Sequence, residues 1–129
     1  MNYDKYSFNI TPYCHEKNIC PTEYEAEFMQ WLVGVCQNDK LTFERRSDNY
    51  ISAFCGLSDF LRFKLTERTM WFSLYVPFPI RSEYIDGPLF PDQDKKKDRN
   101  HWKVKFKSYA DLKPYEEIIR LSCVEQEVS

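Results

Sequence analysis

The stretch that decides the fold runs from Leu41 to Val76 and reads LTFERRSDNYISAFCGLSDFLRFKLTERTMWFSLYV. Apolar and polar residues alternate along it with a period of two, which is typical of strands that bury one face. Turn-forming residues around Ser47, Gly56 and Glu67 interrupt the alternation. Because turns this short join only antiparallel neighbours, we predict a four-stranded meander. Its strands should cover about residues 41–46, 49–55, 59–66 and 69–76.

A helix is predicted before the meander, over residues 22–38. Thr22 and Glu25 have the spacing of a capping box, in which each side chain accepts a hydrogen bond from the other residue's backbone amide. Apolar residues then recur at the helical period, so one stripe of the helix should face the sheet. The stripe consists of Tyr24, Phe28, Trp31, Leu32 and Val35.

A fifth strand and a second helix are predicted after the meander. Residues 101–107, His-Trp-Lys-Val-Lys-Phe-Lys, alternate cleanly between the two faces of a strand, and the charged residues 86–100 before them should form an exposed loop. Ser108 with Asp111 offers a helix cap, and Pro114 is tolerated in a first helical turn. The helix should cover residues 112–124. Its inner face should consist of Leu112, Tyr115, Ile118, Ile119 and Ser122.

These elements predict an α+β fold. The N- and C-terminal helices should cover one face of a five-stranded, mostly antiparallel sheet as a two-layer sandwich. The length of 129 residues is typical of one domain, so residues 1–129 should form a single domain. Residues 1–20 should be a loop or an edge segment of the sheet.

Composition argues against several classes of protein. The 18 Lys and Arg against 20 Asp and Glu give a net charge of -2, so this is not a strongly basic nucleic-acid binder. Three glycines are too few for a phosphate-cradling loop or a dinucleotide fingerprint. Cys55 is better interpreted as a strand-end thiol than as a nucleophile, because nothing in the sequence places a histidine near it. We therefore expect a non-enzymatic protein with no cofactor.

The five cysteines are odd in number and irregularly spaced, which favours reduced thiols and a cytoplasmic location. No signal peptide and no membrane-spanning run is expected. Cys14, His15 and Cys20 are a candidate zinc set that Cys36 or Cys123 could complete. Their spacing matches none of the common paired-cysteine frames, so unrelated thiols are the favoured alternative and no metal is predicted.

Strand alternation predicts which side chains point away from the helices. On the last three strands they are Phe60, Arg62, Lys64, Trp71, Ser73, Tyr75, Lys103, Lys105 and Lys107. Aromatic rings between cations are typical of surfaces that stack unpaired bases and hold phosphates. We therefore expect Trp71 and Tyr75 to stack bases. The residues expected to contact phosphates are Arg62, Lys64, Lys103 and Lys105.

Charge is distributed unevenly along the chain. Residues 41–110 hold 13 basic and 9 acidic side chains, whereas residues 1–40 hold 3 and 6, and residues 111–129 hold 2 and 5. A basic sheet between acidic helices can steer an anionic partner to one face. Two alternatives stay open. The cations could be a plain solvated face, and a one-residue shift of register would bury Trp71.

Residues 99–122 resemble the closing strand and helix of MmcQ/YjbR-like domains. The similarity lies in Arg99-Asn100-His101-Trp102-Lys103-Val104, then Asp111-Leu112, then the run from Tyr115 to Ser122. The family has a frataxin-like α-β-α sandwich and is regarded as DNA-binding, so the resemblance implies that fold and a nucleic-acid partner. Cys123 stands where the family usually has tyrosine, and the 86–100 loop is unusual for it.

Two functions are expected from different classes. The leading hypothesis is a nucleic-acid-binding accessory domain, with single-stranded DNA as a candidate ligand. The alternative is a protein-interaction module that presents an acidic helix face to a host nuclease or defence complex. The segments 43–50 and 59–62 look like parts of small domains from low-GC Gram-positive bacteria and their mobile elements, so a phage or mobile-element origin fits this alternative.

Overall fold

The computed structural model describes residues 8–9, 21–45, 50–76 and 101–128. In chain order the elements are β1 (Phe8–Asn9), α1 (Glu23–Cys36), β2 (Leu41–Arg45), β3 (Ile51–Cys55), β4 (Ser58–Leu65), β5 (Met70–Tyr75), β6 (His101–Lys105), a 3-10 helix (Tyr109–Tyr115) and α2 (Glu116–Val128). The zinc candidates Cys14, His15 and Cys20 and the predicted loop 86–100 lie outside the described residues. Within the described residues, no helix is long and apolar enough to cross a membrane.

The five strands β2 to β6 lie side by side in sequence order, and each neighbouring pair is antiparallel. The short strand β1 pairs parallel to β2 at the edge of the sheet, with Phe8 opposite Phe43. The predicted antiparallel meander and fifth strand are thus confirmed. Each of these strands begins and ends within two residues of its predicted bounds.

Both helical segments pack on one face of the sheet, as predicted. The ring of Phe72 on β5 lies 5.8 Å from the ring of Phe28 in α1 and 6.3 Å from the ring of Tyr115, which immediately precedes α2. Phe28 also lies 4.7 Å from Phe63 on β4. Phe28, Phe63 and Phe72 are fully buried. Burial contributes about 1.5–3 kcal/mol for a side chain of this size, so these rings stabilise the two layers as one core.

The first helix begins at the predicted capping box. Thr22 Oγ1 accepts a hydrogen bond from the Glu25 amide at 3.0 Å, and Glu25 Oε1 accepts one from the Thr22 amide at 3.0 Å. The Thr22 hydroxyl also donates to the backbone oxygen of Leu65 at 2.7 Å, which anchors the cap to the end of β4. α1 ends at Cys36, before the predicted end at residue 38, because Gln37 takes a left-handed φ of 47°.

The predicted apolar stripe of α1 is wrong at Tyr24, which is 39% exposed. The buried positions are Glu25, Ala26, Phe28, Met29, Leu32 and Cys36. Glu25 is inside because its Oε1 atom lies 2.8 Å from a guanidinium nitrogen of Arg45, and both side chains are nearly fully buried. This pair turns the helix so that its carboxylate, rather than the neighbouring tyrosine, faces the sheet.

The C-terminal helical segment begins differently from the prediction. Residues Tyr109–Tyr115 form a 3-10 helix, and the α-helix begins at Glu116 rather than at residue 112. Pro114 lies in the 3-10 segment, where its missing N–H does not interrupt an α-helical ladder. Asp111 Oδ2 accepts a hydrogen bond from the Ser108 amide at 3.2 Å, as the predicted cap requires. On the predicted inner face, Tyr115 is partly buried and the other members are buried.

Phe60 is predicted to point away from the helices, but it is fully buried as a member of the hydrophobic core. Ala53 pairs with Leu61 while Phe54 pairs with Asp59, so Phe60 has no cross-strand partner in this register. This β-bulge interrupts the alternation and places Phe60 and Leu61 on the same side of the strand. The alternation resumes after the bulge, and the outward positions predicted for Arg62 and Lys64 are kept.

Candidate nucleic-acid interface

The six residues predicted to bind nucleic acid lie on the side of β4, β5 and β6 that points away from the helices. We call this side the platform face, and its predicted residues are Arg62, Lys64, Trp71, Tyr75, Lys103 and Lys105. In the register of the sheet, Lys64 is opposite Trp71, and Trp71 is opposite Lys105. Trp71 precedes the fully buried Phe72 on β5. Trp71 therefore lies outside the core, and the alternative register that would bury it is excluded.

Cations and aromatic rings alternate across the platform face. The Nζ atom of Lys103 lies 4.4 Å from the centroid of the Trp71 ring. The guanidinium carbon of Arg62 lies 5.9 Å from the same centroid and 4.8 Å from the centroid of the Tyr50 ring. Tyr50 precedes β3, and the other three residues lie on β4, β5 and β6. These four residues form a cation–aromatic ladder that runs across the sheet.

Tyr75 lies on the platform face but outside this ladder. It is opposite His101 in the register, and the two rings meet edge to face with centroids 5.5 Å apart. Trp71 and Tyr75 are four positions apart along β5, which corresponds to about 13 Å at 3.3 Å per residue. Two bases stacked on these rings would therefore not be adjacent in a stacked strand.

Two further aromatic residues lie on this side of the sheet and are absent from the sequence-based prediction. They are Tyr50, in the ladder, and Phe54 on β3. The signal that could have found them is the alternation of β3, where Ile51, Ala53 and Cys55 are buried and the residues between them are partly exposed. Alternation therefore extends the candidate surface onto β3.

Exposure and charge vary across the platform face. Lys105 is exposed, and the four ladder residues are half-buried because they cover one another. Ser73 points away from the helices but is fully buried, and it is opposite Arg62 on β4 and Lys103 on β6. The carboxylate of Glu44 lies on β2, two strands away from Arg62. On β4 to β6 the exposed Asp59, which is opposite Phe54, is the counter-charge to Arg62, Lys64, Lys103 and Lys105, so this part of the face keeps a net positive charge.

A cleft of about 430 Å³ opens beside Trp71, at the start of β5 and the end of β6. We call it the end cleft, and it is lined by Arg68, Thr69, Met70, Trp71, Lys105, Phe106, Lys107 and Asp111. Lys107, predicted as part of the outward row, is exposed just after β6 and also lines this cleft. Because Trp71 and Lys105 line the cleft and also belong to the platform face, the two surfaces are continuous.

The helix layer carries the opposite charge. Glu23, Glu27 and Glu117 are exposed on α1 and α2. A groove of about 410 Å³ there is lined by Gly34, Val35, Gln37, Glu116, Glu117 and Arg120. The sheet layer is therefore the basic one and the helix layer the acidic one, as the charges of the corresponding sequence segments predict.

Cys55 and the candidate metal ligands are the other residues that the sequence offers as candidates for chemistry. Cys55 is fully buried, and its Sγ atom accepts a hydrogen bond from the side-chain Nδ2 of Asn38 at 3.3 Å, which suits a strand-end thiol. No group of three or more His, Cys, Asp or Glu among the described residues is placed to hold a metal ion. Comparison with protein-family models, with curated proteins and with solved structures gives no match to this chain. The resemblance to MmcQ/YjbR-like domains stays a prediction from residues 99–122.

Proposed function

We propose that this domain binds single-stranded nucleic acid on the platform face and acts as a non-enzymatic accessory domain. The observation that carries the proposal is the cation–aromatic ladder of Tyr50, Arg62, Trp71 and Lys103. Single-stranded nucleic acid offers bases that stack on aromatic rings and phosphates that pair with cations, and proteins without sequence preference use both.

The energetics of Lys103 favour exchange with a base. A cation over an exposed aromatic ring contributes about 0.5–1 kcal/mol, whereas a base stacked on such a ring contributes about 1–3 kcal/mol. An incoming base can therefore displace the Lys103 ammonium from the Trp71 ring. The flexible lysine side chain then reaches a neighbouring phosphate. The contact between Lys103 and Trp71 is thus replaced by two contacts, one between the base and Trp71 and one between Lys103 and the phosphate.

Lys64 and Lys105 lie directly opposite Trp71, one on each neighbouring strand. A nucleotide whose base stacks on Trp71 would therefore have Lys64 on one side and Lys105 on the other, each near one of its two flanking phosphates. This placement suits phosphate contacts that hold the strand in position without reading its sequence. Sequence preference should accordingly be weak.

A cytoplasmic location belongs to the proposal. The described cysteines Cys36, Cys55 and Cys123 are buried thiols outside any disulfide, which is typical of a reducing compartment.

A second candidate function is a protein-interaction module, and the acidic helix layer favours it. This layer carries the exposed carboxylates of Glu23, Glu27 and Glu117 and the exposed apolar side chains of Tyr24 and Val33. This composition would suit a basic partner such as a nucleic-acid-processing protein, and it matches the sequence-based alternative of a phage or mobile-element inhibitor.

Retention on heparin and on immobilised single-stranded DNA at two salt concentrations separates the two candidates. The proposal predicts retention at low salt that is lost at high salt, because phosphate contacts release counterions. Arg120→Gln, on the helix layer, removes one positive charge from the opposite side of the molecule and should not change retention. Absence of retention, together with capture of a basic partner that Glu117→Lys abolishes, would favour the second candidate.

A further inference from the structure

We infer that the end cleft binds the terminal phosphate monoester of a nucleic-acid strand that lies on the platform face. This inference rests on the proposed function and names the part of the ligand that the cleft receives. Trp71 and Lys105 belong to both surfaces, so a nucleic-acid strand bound on the platform face can continue into the cleft.

The charge of the end cleft suits a dianion. Arg68 reaches it from the β4–β5 turn, Lys105 from β6 and Lys107 from the residues after β6. A phosphodiester within a strand carries one negative charge, whereas a terminal monoester carries about -1.5 to -2 at neutral pH. Three cations around one cleft therefore favour a strand terminus over an internal phosphate.

The backbone that carries these cations is held in place by hydrogen bonds. Thr66 Oγ1 accepts bonds from the amides of Arg68 at 3.3 Å and Thr69 at 3.0 Å, which fixes the β4–β5 turn. The Phe106 amide donates to the Met70 oxygen at 3.2 Å, which fixes the opposite wall. A preformed backbone lowers the ordering cost of binding.

The acidic residue of the cleft is engaged by the backbone. Asp111 Oδ2 accepts hydrogen bonds from the amides of Ser108 at 3.2 Å and Lys107 at 3.4 Å. These two donors hold the carboxylate in position and direct its Oδ2 atom towards the backbone of Lys107 and Ser108. The three cations of the cleft then remain in excess over one carboxylate.

The remaining wall suits the nucleoside that bears the phosphate. Met70, Trp71 and Phe106 give the cleft an apolar side. Its volume of about 430 Å³ lies within the range of small-molecule sites. One terminal nucleotide is therefore the matching size of ligand, with its phosphate at the cations and its sugar and base against the apolar side.

The test compares one single-stranded oligonucleotide of about 12 nucleotides, a length within known site sizes, in three forms. The forms carry a 5′-phosphate, a 3′-phosphate or hydroxyls at both ends, and each carries an internal fluorophore for anisotropy. One phosphorylated form should bind roughly fivefold more tightly than the hydroxyl form, as expected for an added charge near three partly screened cations. The favoured form identifies which end enters the cleft.

Variants assign the effect to the cleft. Arg68→Gln and Lys107→Gln should each reduce the advantage of the phosphorylated strand to about threefold, and the double variant should reduce it to less than about twofold, because each change removes one of the three cations. Arg120→Gln makes the same charge change on the helix layer and should keep the full advantage. A full advantage of about fivefold in both single variants and in the double variant would overturn the inference.

The remaining outcomes separate this inference from the proposed function. Equal binding of all three strands would overturn the inference and leave the platform proposal standing, whereas binding of none would overturn both. Inorganic phosphate or an acidic peptide that competes as well as the phosphorylated strand would show a general anion site and would also overturn it. Competition by the phosphorylated strand alone supports the inference.

Discussion

The Nζ atom of Lys103 lies 4.4 Å from the centroid of the Trp71 ring, although the two residues are not cross-strand partners. Lys103 is opposite Ser73, and Trp71 is opposite Lys105, so the contact is diagonal. Diagonal neighbours lie within reach of long and aromatic side chains. The residue opposite Lys103 is the small Ser73, which leaves the Lys103 side chain room to lean towards the Trp71 ring.

Replacement of Trp71 by alanine should weaken binding to single-stranded DNA by about 1–3 kcal/mol, because one stacked base is lost. The dependence of affinity on salt should stay the same, since stacking releases no counterions. Anisotropy titrations at several salt concentrations measure both quantities. Phe54→Ala, on β3 of the same side of the sheet but outside the ladder, is the matched control and should have the smaller effect. An unchanged affinity in Trp71→Ala would contradict a stacking role.

Phe60→Ala should lower the free energy of unfolding by about 3–5 kcal/mol, because Phe60 is fully buried at the bulge. Urea titration followed by circular dichroism measures the change. Phe54→Ala is again the control, because Phe54 is only partly buried and should cost less. Similar, small losses for both variants would contradict the bulge and would return Phe60 to the outward side.

The order and type of the elements follow from sequence periodicity, but two local features do not. Alternation assumes that each residue on a strand has one partner on the next strand. The extra residue Phe60, between the pairs Phe54–Asp59 and Ala53–Leu61, breaks that assumption, and no residue type there indicates a bulge. The burial of Glu25 depends on Arg45, which is 20 residues away in sequence and comes close only when the fold is complete. Both features are tertiary, so local patterns could not reveal them.

Arg45→Met should destabilise the fold by about 3–5 kcal/mol, because it leaves the buried Glu25 carboxylate without its partner cation. The double variant with Glu25→Gln should recover most of the loss, since glutamine still accepts the capping bond from the Thr22 amide. Urea titrations of the single and double variants measure the coupling. Additive losses in the double variant would contradict a coupled pair.

Tyr109 should make stability sensitive to alkaline pH. Burial raises the pKa of its hydroxyl above the ordinary value of about 10, and the nearby Glu27 charge raises it further. The unfolded chain therefore releases this proton first, so the stabilising effect is present below about pH 10 and is lost as the pH rises above it. The hydroxyl has no hydrogen-bond partner among the described residues.

Tyr109→Phe removes this titration and should flatten the fall in unfolding free energy between about pH 9 and pH 11. At neutral pH the variant should be as stable as the original chain or more so, because no hydrogen bond is lost. Denaturant titrations across this pH range measure the difference. Parallel curves for the two proteins would contradict the raised pKa.

The sequence predicts which residues lie on the platform face better than it predicts which of them contact one another. Alternation on β5 and β6 is enough to place Trp71, Lys103 and Lys105 on one side. The diagonal approach of Lys103 to Trp71 depends on strand register, which sequence patterns specify only through the turns. The end cleft forms where the turn that carries Arg68 lies next to the end of β6. These two segments are far apart in sequence, so no local pattern predicts that they are neighbours.

The most direct test of nucleic-acid binding by the platform face is the salt dependence of affinity for single-stranded DNA. Each phosphate contact contributes about 0.7 to the slope of log affinity against log salt. We expect the double variant Lys103→Gln with Lys105→Gln to lose about 1.4 from the slope of the original chain, and Arg120→Gln to lose none. Equal slopes in all three proteins, or no binding by the original chain at low salt, would contradict the account.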